Sequence, residues 1–377
     1  MNRVSAALLV ILAPIAGCAH QSLPVKPGAQ LHRTGDEIVI AGQFYHTGAP
    51  VVTWMDEGGY DAYRTERRFV PWDRADFLTT AAEAKYNKEH NIKNGTEVET
   101  PNRYGLRFAP STRPTPTTRQ LTPAELEKVR GGGWPLSMLQ DRVDQFVIHF
   151  DVDFASRTCF KVLHDVRDLS VHFMLDVDGT IYQTLDVKER AWQATIANNR
   201  SVGIEIANIG CYRVDQPEQI ATLHQYYRKD ANGHTQLVPG LLGKAGGVRT
   251  PNFIARPARE DAVVGEIQHH PYEQYDLTPQ QYDSLIKLTA TLCTVLPNIK
   301  CDYPKDSNRK LITHTLTPEQ WQAYQGVLGH YHVQDNKQDP GPAFQWDRVI
   351  NGARKLMNQN PLPPGDPYEQ QPALAKK

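Results

Sequence analysis

Phe146-Val-Ile-His-Phe150 reads as an apolar strand carrying one histidine, and it opens the part of the chain that decides the fold. Beyond it, a helix is expected over 158–164, then strands around 172–176 and 181–185 that flank Asp178-Gly179, a hairpin turn signal. Ser201-Val-Gly-Ile-Glu-Ile-Ala207 is a further apolar strand with one acid, Glu205. Thr278-Pro-Gln-Gln281 caps a long helix running to about Leu296, whose apolar positions recur at helical spacing. A short final strand over 327–333, a loop and a helical stretch over 344–357 follow. Strands alternating with helices in this way indicate an α/β domain.

On the other side, Thr122-Pro-Ala-Glu125 has capping-box spacing with proline at the first helical position, and Gly131-Gly-Gly133 breaks the helix it starts. Residues 19–135 also hold Glu37-Ile-Val-Ile40, Val51-Val-Thr-Trp54 and a Pro/Thr-rich run over 110–118. They suggest no chemistry and read as an N-terminal extension to a domain over 136–357. Residues 358–377, with Pro361-Leu-Pro-Pro364 and a polar end, are expected to be disordered.

At 377 residues, 40% hydrophobic and 22% charged, the chain can bury a proper core. Its formal net charge of -1 and lack of a long basic run argue against an electrostatic nucleic-acid binder. Arg3, the apolar run over 4–15 and the small residues after it have the order of an export signal, too short for a permanent membrane span. Ile15-Ala-Gly-Cys18 resembles a bacterial lipobox, which makes residues 1–18 a lipoprotein signal and Cys18 the lipidated residue. The other reading is an ordinary secretory signal with a chance cysteine. Ala19 in place of aspartate implies the periplasmic side of the outer membrane, with secretion as the alternative. Membrane contact is then through the lipid alone.

An oxidising compartment lets Cys159, Cys211, Cys293 and Cys301 pair. The loop from Cys293 to Cys301 is the easiest to close, with Pro297 to turn it, and Cys159 with Cys211 would be the second bridge. Buried free thiols are the alternative.

A carboxylate inside an apolar strand needs a reason, because burying an unpaired charge is costly. Spacing alone leaves Glu205 equally open to an end-of-strand role, and a lone strand histidine such as His149 is more often a hydrogen-bonded core residue than a ligand.

Three segments together narrow the choice. They are Val147-Ile-His149-Phe; Leu169-Ser-Val-His172 through Tyr182-Gln183, Arg190-Ala-Trp192 and Asn199-Arg-Ser-Val-Gly-Ile-Glu205; and Gly329-His330-Tyr-His-Val, closed by Lys337-Gln-Asp339-Pro-Gly-Pro. Over about 145–350 the chain resembles the zinc-dependent N-acetylmuramoyl-L-alanine amidases of type 2, which share a fold with peptidoglycan recognition proteins. The resemblance implies a mixed central β-sheet flanked by helices and one zinc ion on His149, His330 and Asp339, with a fourth position open as in catalytic zinc sites. It implies Glu205 as general base and Lys337 as stabiliser of the oxyanion. The bond is the one between N-acetylmuramic acid and L-alanine, in peptidoglycan or muropeptides, and the enzyme is expected to be a monomer.

Trp192 and Gln193 fall at a substrate-binding position where many members have Trp-His. His332, two residues from His330, would share its strand face and is the runner-up ligand. Residues 211–276 are an insertion, expected to wall the cleft and shape substrate choice, and their His224, His234, His269 and His270 read as solvated. The other function classes are a recognition protein that binds peptidoglycan without cleaving it, and an exported zinc peptidase.

Overall fold

The computed structural model describes residues 27–63, 104–107, 121–129, 133–167, 169–238, 240–242 and 248–369. Cys18 and the rest of the expected export signal, residues 1–18, lie outside them. Residues 27–34 belong to a first unit, Met1–Thr34, and hold no helix or strand; the second unit, Gly35–Lys377, carries everything below.

It begins with the hairpin β1 (Glu37–Ile40) and β2 (Gln43–His46), turned at Ala41 and Gly42, both with positive φ. Asp186 accepts the backbone N–H groups of both turn residues, which holds the hairpin to the domain. After β3 (Val51–Thr53) and β4 (Tyr104–Leu106) come α1 (Pro123–Val129), α2 (Leu136–Arg142) and β5 (Gln145–Phe150). Helix α3 (Ser156–Phe160) runs on into a π-helical turn, Lys161–Val166. Then follow β6 (Phe173–Leu175), β7 (Ile181–Gln183), β8 (Glu189–Ala191) and β9 (Ser201–Ile206). Next are β10 (Tyr212–Arg213), α4 (Pro217–Gln225), β11 (Tyr227–Lys229), β12 (Thr235–Leu237), β13 (Val263–Ile267) and β14 (His270–Gln274). The chain closes with α5 (Pro279–Val295), α6 (Pro318–Ala323), β15 (Gly326–Gly329) and α7 (Trp346–Leu356).

Six strands form the central sheet in the order β15-β5-β9-β6-β7-β3. All neighbours are parallel except β6 and β7, which the Asp178-Gly179 turn joins antiparallel, so the sheet is mixed as expected. Period-two alternation divides its faces. Phe146, Ile148, Val202 and Ile204 pack on one side against Leu285, Leu288 and Leu292 of α5 and Val349 and Ile350 of α7. Val147 and Leu328 pack on the other with Ala194, Ala197 and Trp321. Helix α5 starts with the expected capping box, Thr278 accepting from Gln281 N–H and Gln281 accepting from Thr278 N–H.

Three expected boundaries differ. Residues 35–63, expected to be part of an extension, belong to the domain: β3 is the outermost strand of the central sheet, and Ile38, Ile40 and Val51 belong to the main core. Nor does order stop at 357. Asp366 Oδ2 accepts the Trp346 N–H and Glu369 Oε2 the Arg348 N–H, so the segment after α7 folds back to satisfy that helix's free amides, which is why it stays packed. Finally, the 327–333 strand stops at Gly329 and His330–His332 turn into a 3-10 helix.

The insertion builds a three-stranded sheet, β10-β14-β13, and the separate β11/β12 hairpin. The expected Cys293–Cys301 bridge is absent from this structure: both are buried free thiols, and Cys301 donates to Ile350 O at 3.6 Å. Cys159 and Cys211 are free too.

Candidate metal centre and active site

The site lies at the carboxyl ends of parallel strands, where open α/β sheets bind ligands. Register sets it up. His149 on β5 stands directly beside Glu205 on β9, so both side chains leave the same face. Gly329 pairs with Ile148, and His330, the next residue, reaches the level of His149 just past the end of β15. Asp339 is brought in by a loop whose carbonyl accepts the Tyr331 N–H at 3.2 Å. That loop can come so close because Gly329 lacks a side chain; a Cβ there would lie 2.6 Å from Pro340 Cδ. The Asp339-Pro340 peptide is cis.

Three donor atoms converge. His149 Nδ1 and His330 Nδ1 are 3.0 Å apart, and Asp339 Oδ2 lies 2.8 Å from the first and 3.0 Å from the second. All three residues are buried, at 2%, 5% and 7% exposure. Two imidazole nitrogens this close cannot both carry protons, so lone pairs meet here. The donor set, two neutral imidazoles and one carboxylate, is one that zinc takes with a position left open. Among the described residues it is the buried group of this kind.

The remaining imidazole nitrogens are held from behind. His149 Nε2 sits 3.1 Å from Gln193 Oε1 and His330 Nε2 2.7 Å from Gln334 Oε1. Burial and the neighbouring His330 lower the His149 pKa, which keeps the ring neutral as a ligand must be. Burial pushes the Asp339 carboxyl up, but the two imidazoles that face it outweigh burial and hold the group below the usual carboxylate range.

A cleft of about 240 Å³ opens on this centre, lined by Asp151, Arg167, Trp192, Gln193, Glu205 and Lys337 among others. Glu205 Oε2 is buried and has no hydrogen-bond partner. Burial, then the charges of Asp339 and Asp151, raise its pKa well above the glutamate value, with Lys337 and Arg167 opposing. The carboxyl is thus a stronger base than an exposed glutamate. Trp192 lines the cleft beneath the Arg190 guanidinium, 5.5 Å from its ring.

Some expectations need correction. His332 is no ligand: its Nδ1 accepts the Gly329 N–H at 2.9 Å, its Nε2 donates to Ile312 O at 2.7 Å, and burial lowers its pKa to about 3. Two-residue spacing means one face in a strand but not in a 3-10 helix, which turns once in three residues. The insertion does not wall the cleft either, since no described residue of 211–276 lines it. It braces the ligand loop from behind: Gln274 Nε2 donates to Pro340 O at 3.0 Å and its Oε1 accepts the Ala343 N–H at 2.9 Å. His224 and His234 are half-exposed, with ring nitrogens in hydrogen-bond contact with Glu273 and Glu260.

The residue reading missed Gln334, Gly203, Arg167 and Arg107. Arg107 is fully buried and donates to Val187 O, Asn199 O and Ser201 O, tying together the segment that carries Trp192 and Gln193. A glycine inside a strand, which often marks a close approach, was the available signal for Gly203.

Residues 139–239 match the N-acetylmuramoyl-L-alanine amidase family. No curated protein matches the chain. A selenomethionine derivative of AmpD is a similar solved structure, 16% identical over 56% of this chain and 84% of that one, with a TM-score of 0.28. AmiD from E. coli, solved with the substrate anhydro-N-acetylmuramic acid-L-Ala-D-gamma-Glu-L-Lys, is 18% identical over 62% of this chain, with a TM-score of 0.30. This chain spans 61% of that AmiD chain. Staphylococcus aureus AmiA, solved with its ligand, is 13% identical over 59% of this chain and 78% of its own, with a TM-score of 0.30. His149 and Glu205 stand side by side within residues 139–239, the part of this chain that is similar to the N-acetylmuramoyl-L-alanine amidase family.

Proposed function

We propose that the protein hydrolyses the amide joining N-acetylmuramic acid to L-alanine in peptidoglycan or its fragments, with one zinc ion on His149, His330 and Asp339. The observation that carries this reading is the convergence of two imidazole nitrogens and a carboxylate oxygen within 2.8–3.0 Å of one another at the floor of an open cleft. When bound there, zinc supplies Lewis acidity toward a carbonyl oxygen and lowers the pKa of water. Glu205, held partly desolvated across from the ligands, takes the proton from the attacking water and passes it to the leaving amine. The Lys337 ammonium meets the charge that develops on the carbonyl oxygen. Trp192 offers a ring against which an N-acetyl sugar or peptide can lie. Ile15-Ala-Gly-Cys18 would hold the enzyme by lipid to the periplasmic side of the outer membrane.

Mass spectrometry of peptidoglycan digests tests the reaction. Stem peptides with a free L-alanine amine, separated from intact glycan, are expected, with loss of activity on chelation and recovery with zinc. Free amino acids with stem and glycan still joined would indicate a peptidase, and fragment binding without any release a recognition protein.

A further inference from the structure

Gln193 stands where the resemblance leads to histidine in many members, and the structure gives it a defined seat. Its Oε1 lies 3.1 Å from His149 Nε2, and its Nε2 donates to Ser201 Oγ at 3.1 Å. Its backbone N–H donates to Asn198 Oδ1 at 3.1 Å, which fixes the start of the side chain. The amide lies directly over Gly203 of β9: a Cβ there would be 1.3 Å from Gln193 Oε1 and 2.1 Å from its Cδ. Gly203 sits within regular strand, paired with Val147, where glycine is disfavoured. Its φ is not in the left-handed region. Room for the Gln193 amide is therefore what the missing side chain provides.

The hydrogen-bond chemistry follows from this seat. A carboxamide oxygen only accepts, so a neutral His149 facing it carries its proton on Nε2 and keeps Nδ1 as a bare lone pair. Nδ1 is the atom aimed at His330 Nδ1 and Asp339 Oδ2. Gln334, one helical turn beyond His330, repeats the arrangement with its Oε1 2.7 Å from His330 Nε2. Each ligand histidine thus has its own glutamine, one across the sheet and one along the chain.

We propose that Gln193, seated on Gly203, and Gln334 are positioning residues that lock the Nε2–H tautomers of His149 and His330 and so preset both Nδ1 lone pairs for a divalent cation. This rests on the zinc reading above and adds to it the residues that prepare the ligands. Orienting partners of this kind change metal affinity by about 10- to 100-fold when removed.

The test measures zinc affinity of the full-length protein, stripped by chelator and titrated against a chromophoric competitor, with the melting temperature of each metal-free variant beside it. Gln193→Leu and Gln334→Leu should each weaken zinc binding by about 10- to 100-fold while the metal-free melting temperature holds. Gln193→Glu, which keeps an acceptor facing Nε2, should bind within a few-fold of the wild type. Gly203→Ala should weaken binding like Gln193→Leu, and in a Gln193→Ala background it should add nothing, because the amide it would displace is gone. Wild-type affinity in Gln193→Leu overturns the proposal, as does a full, additive effect of Gly203→Ala in the Gln193→Ala background. If the wild type itself binds no zinc, the zinc reading fails and this inference with it. If the wild type binds and the variants bind equally, this inference alone fails.

Discussion

Glu205 is at odds with its strand, and that conflict makes its chemistry testable. Gln at this position keeps the shape but cannot take a proton. Glu205→Gln is expected to retain stoichiometric zinc and lose turnover by about 10²- to 10⁴-fold, read by metal analysis beside kinetics. The pH profile carries a sign as well. As a base, Glu205 must be ionised, and its raised pKa moves the acid limb of kcat/KM above that of a free glutamate. The Lys337 charge opposes the rise, so Lys337→Met should move that limb to still higher pH while lowering kcat. An unmoved limb would mean that another group sets it. His149, His330 and Asp339 were legible only as a combination of motifs, since each alone fits a core or loop role. Gln334 was not legible, because what it does is a contact that spacing does not encode, and Gly203 showed only as a glycine inside a strand, with nothing to say what approaches it. His332 was misread because the alternating pattern over 327–333 does not show that the backbone leaves strand geometry at Gly329.

Helix α7 shows how an element can depend on residues well past its end. Asp366 is buried, accepts the Trp346 N–H at 3.1 Å and the Tyr368 N–H at 2.9 Å, and so acts as a cap supplied from outside the helix. Asp366→Ala would leave a buried N–H unpaired and should lower stability by about 1–2 kcal/mol in urea denaturation. No change would mean that water replaces the carboxylate at no cost. Capping boxes written in adjacent residues, as at Thr278 and Thr122, were legible in the sequence. This cap was not, because the proline run over 361–364 suggested a chain with no partner, and the partner is a helix end.

At the scale of the molecule, the anchoring proposal predicts that Cys18→Ala moves the protein from the membrane fraction to the soluble periplasm or leaves it unprocessed. Sedimentation of fully processed variant with membranes would rule the lipobox out. The α/β domain was legible from Phe146 onward, but the part played by residues 35–63 was not, since strands joined from far along the chain leave no local pattern. Their place bears on whether copies of the domain can pair edge to edge. With β3 paired along Ile181–Gln183, the backbone of β7 is covered on that side. A chain trimmed to begin at residue 121 would leave the N–H and C=O groups of β7 as a bare row, a template on which another copy could dock its own strand. The segment that suggested no chemistry then acts as a guard against self-association. Such a trimmed chain should form concentration-dependent oligomers in sedimentation velocity, even with every ligand of the metal centre in place.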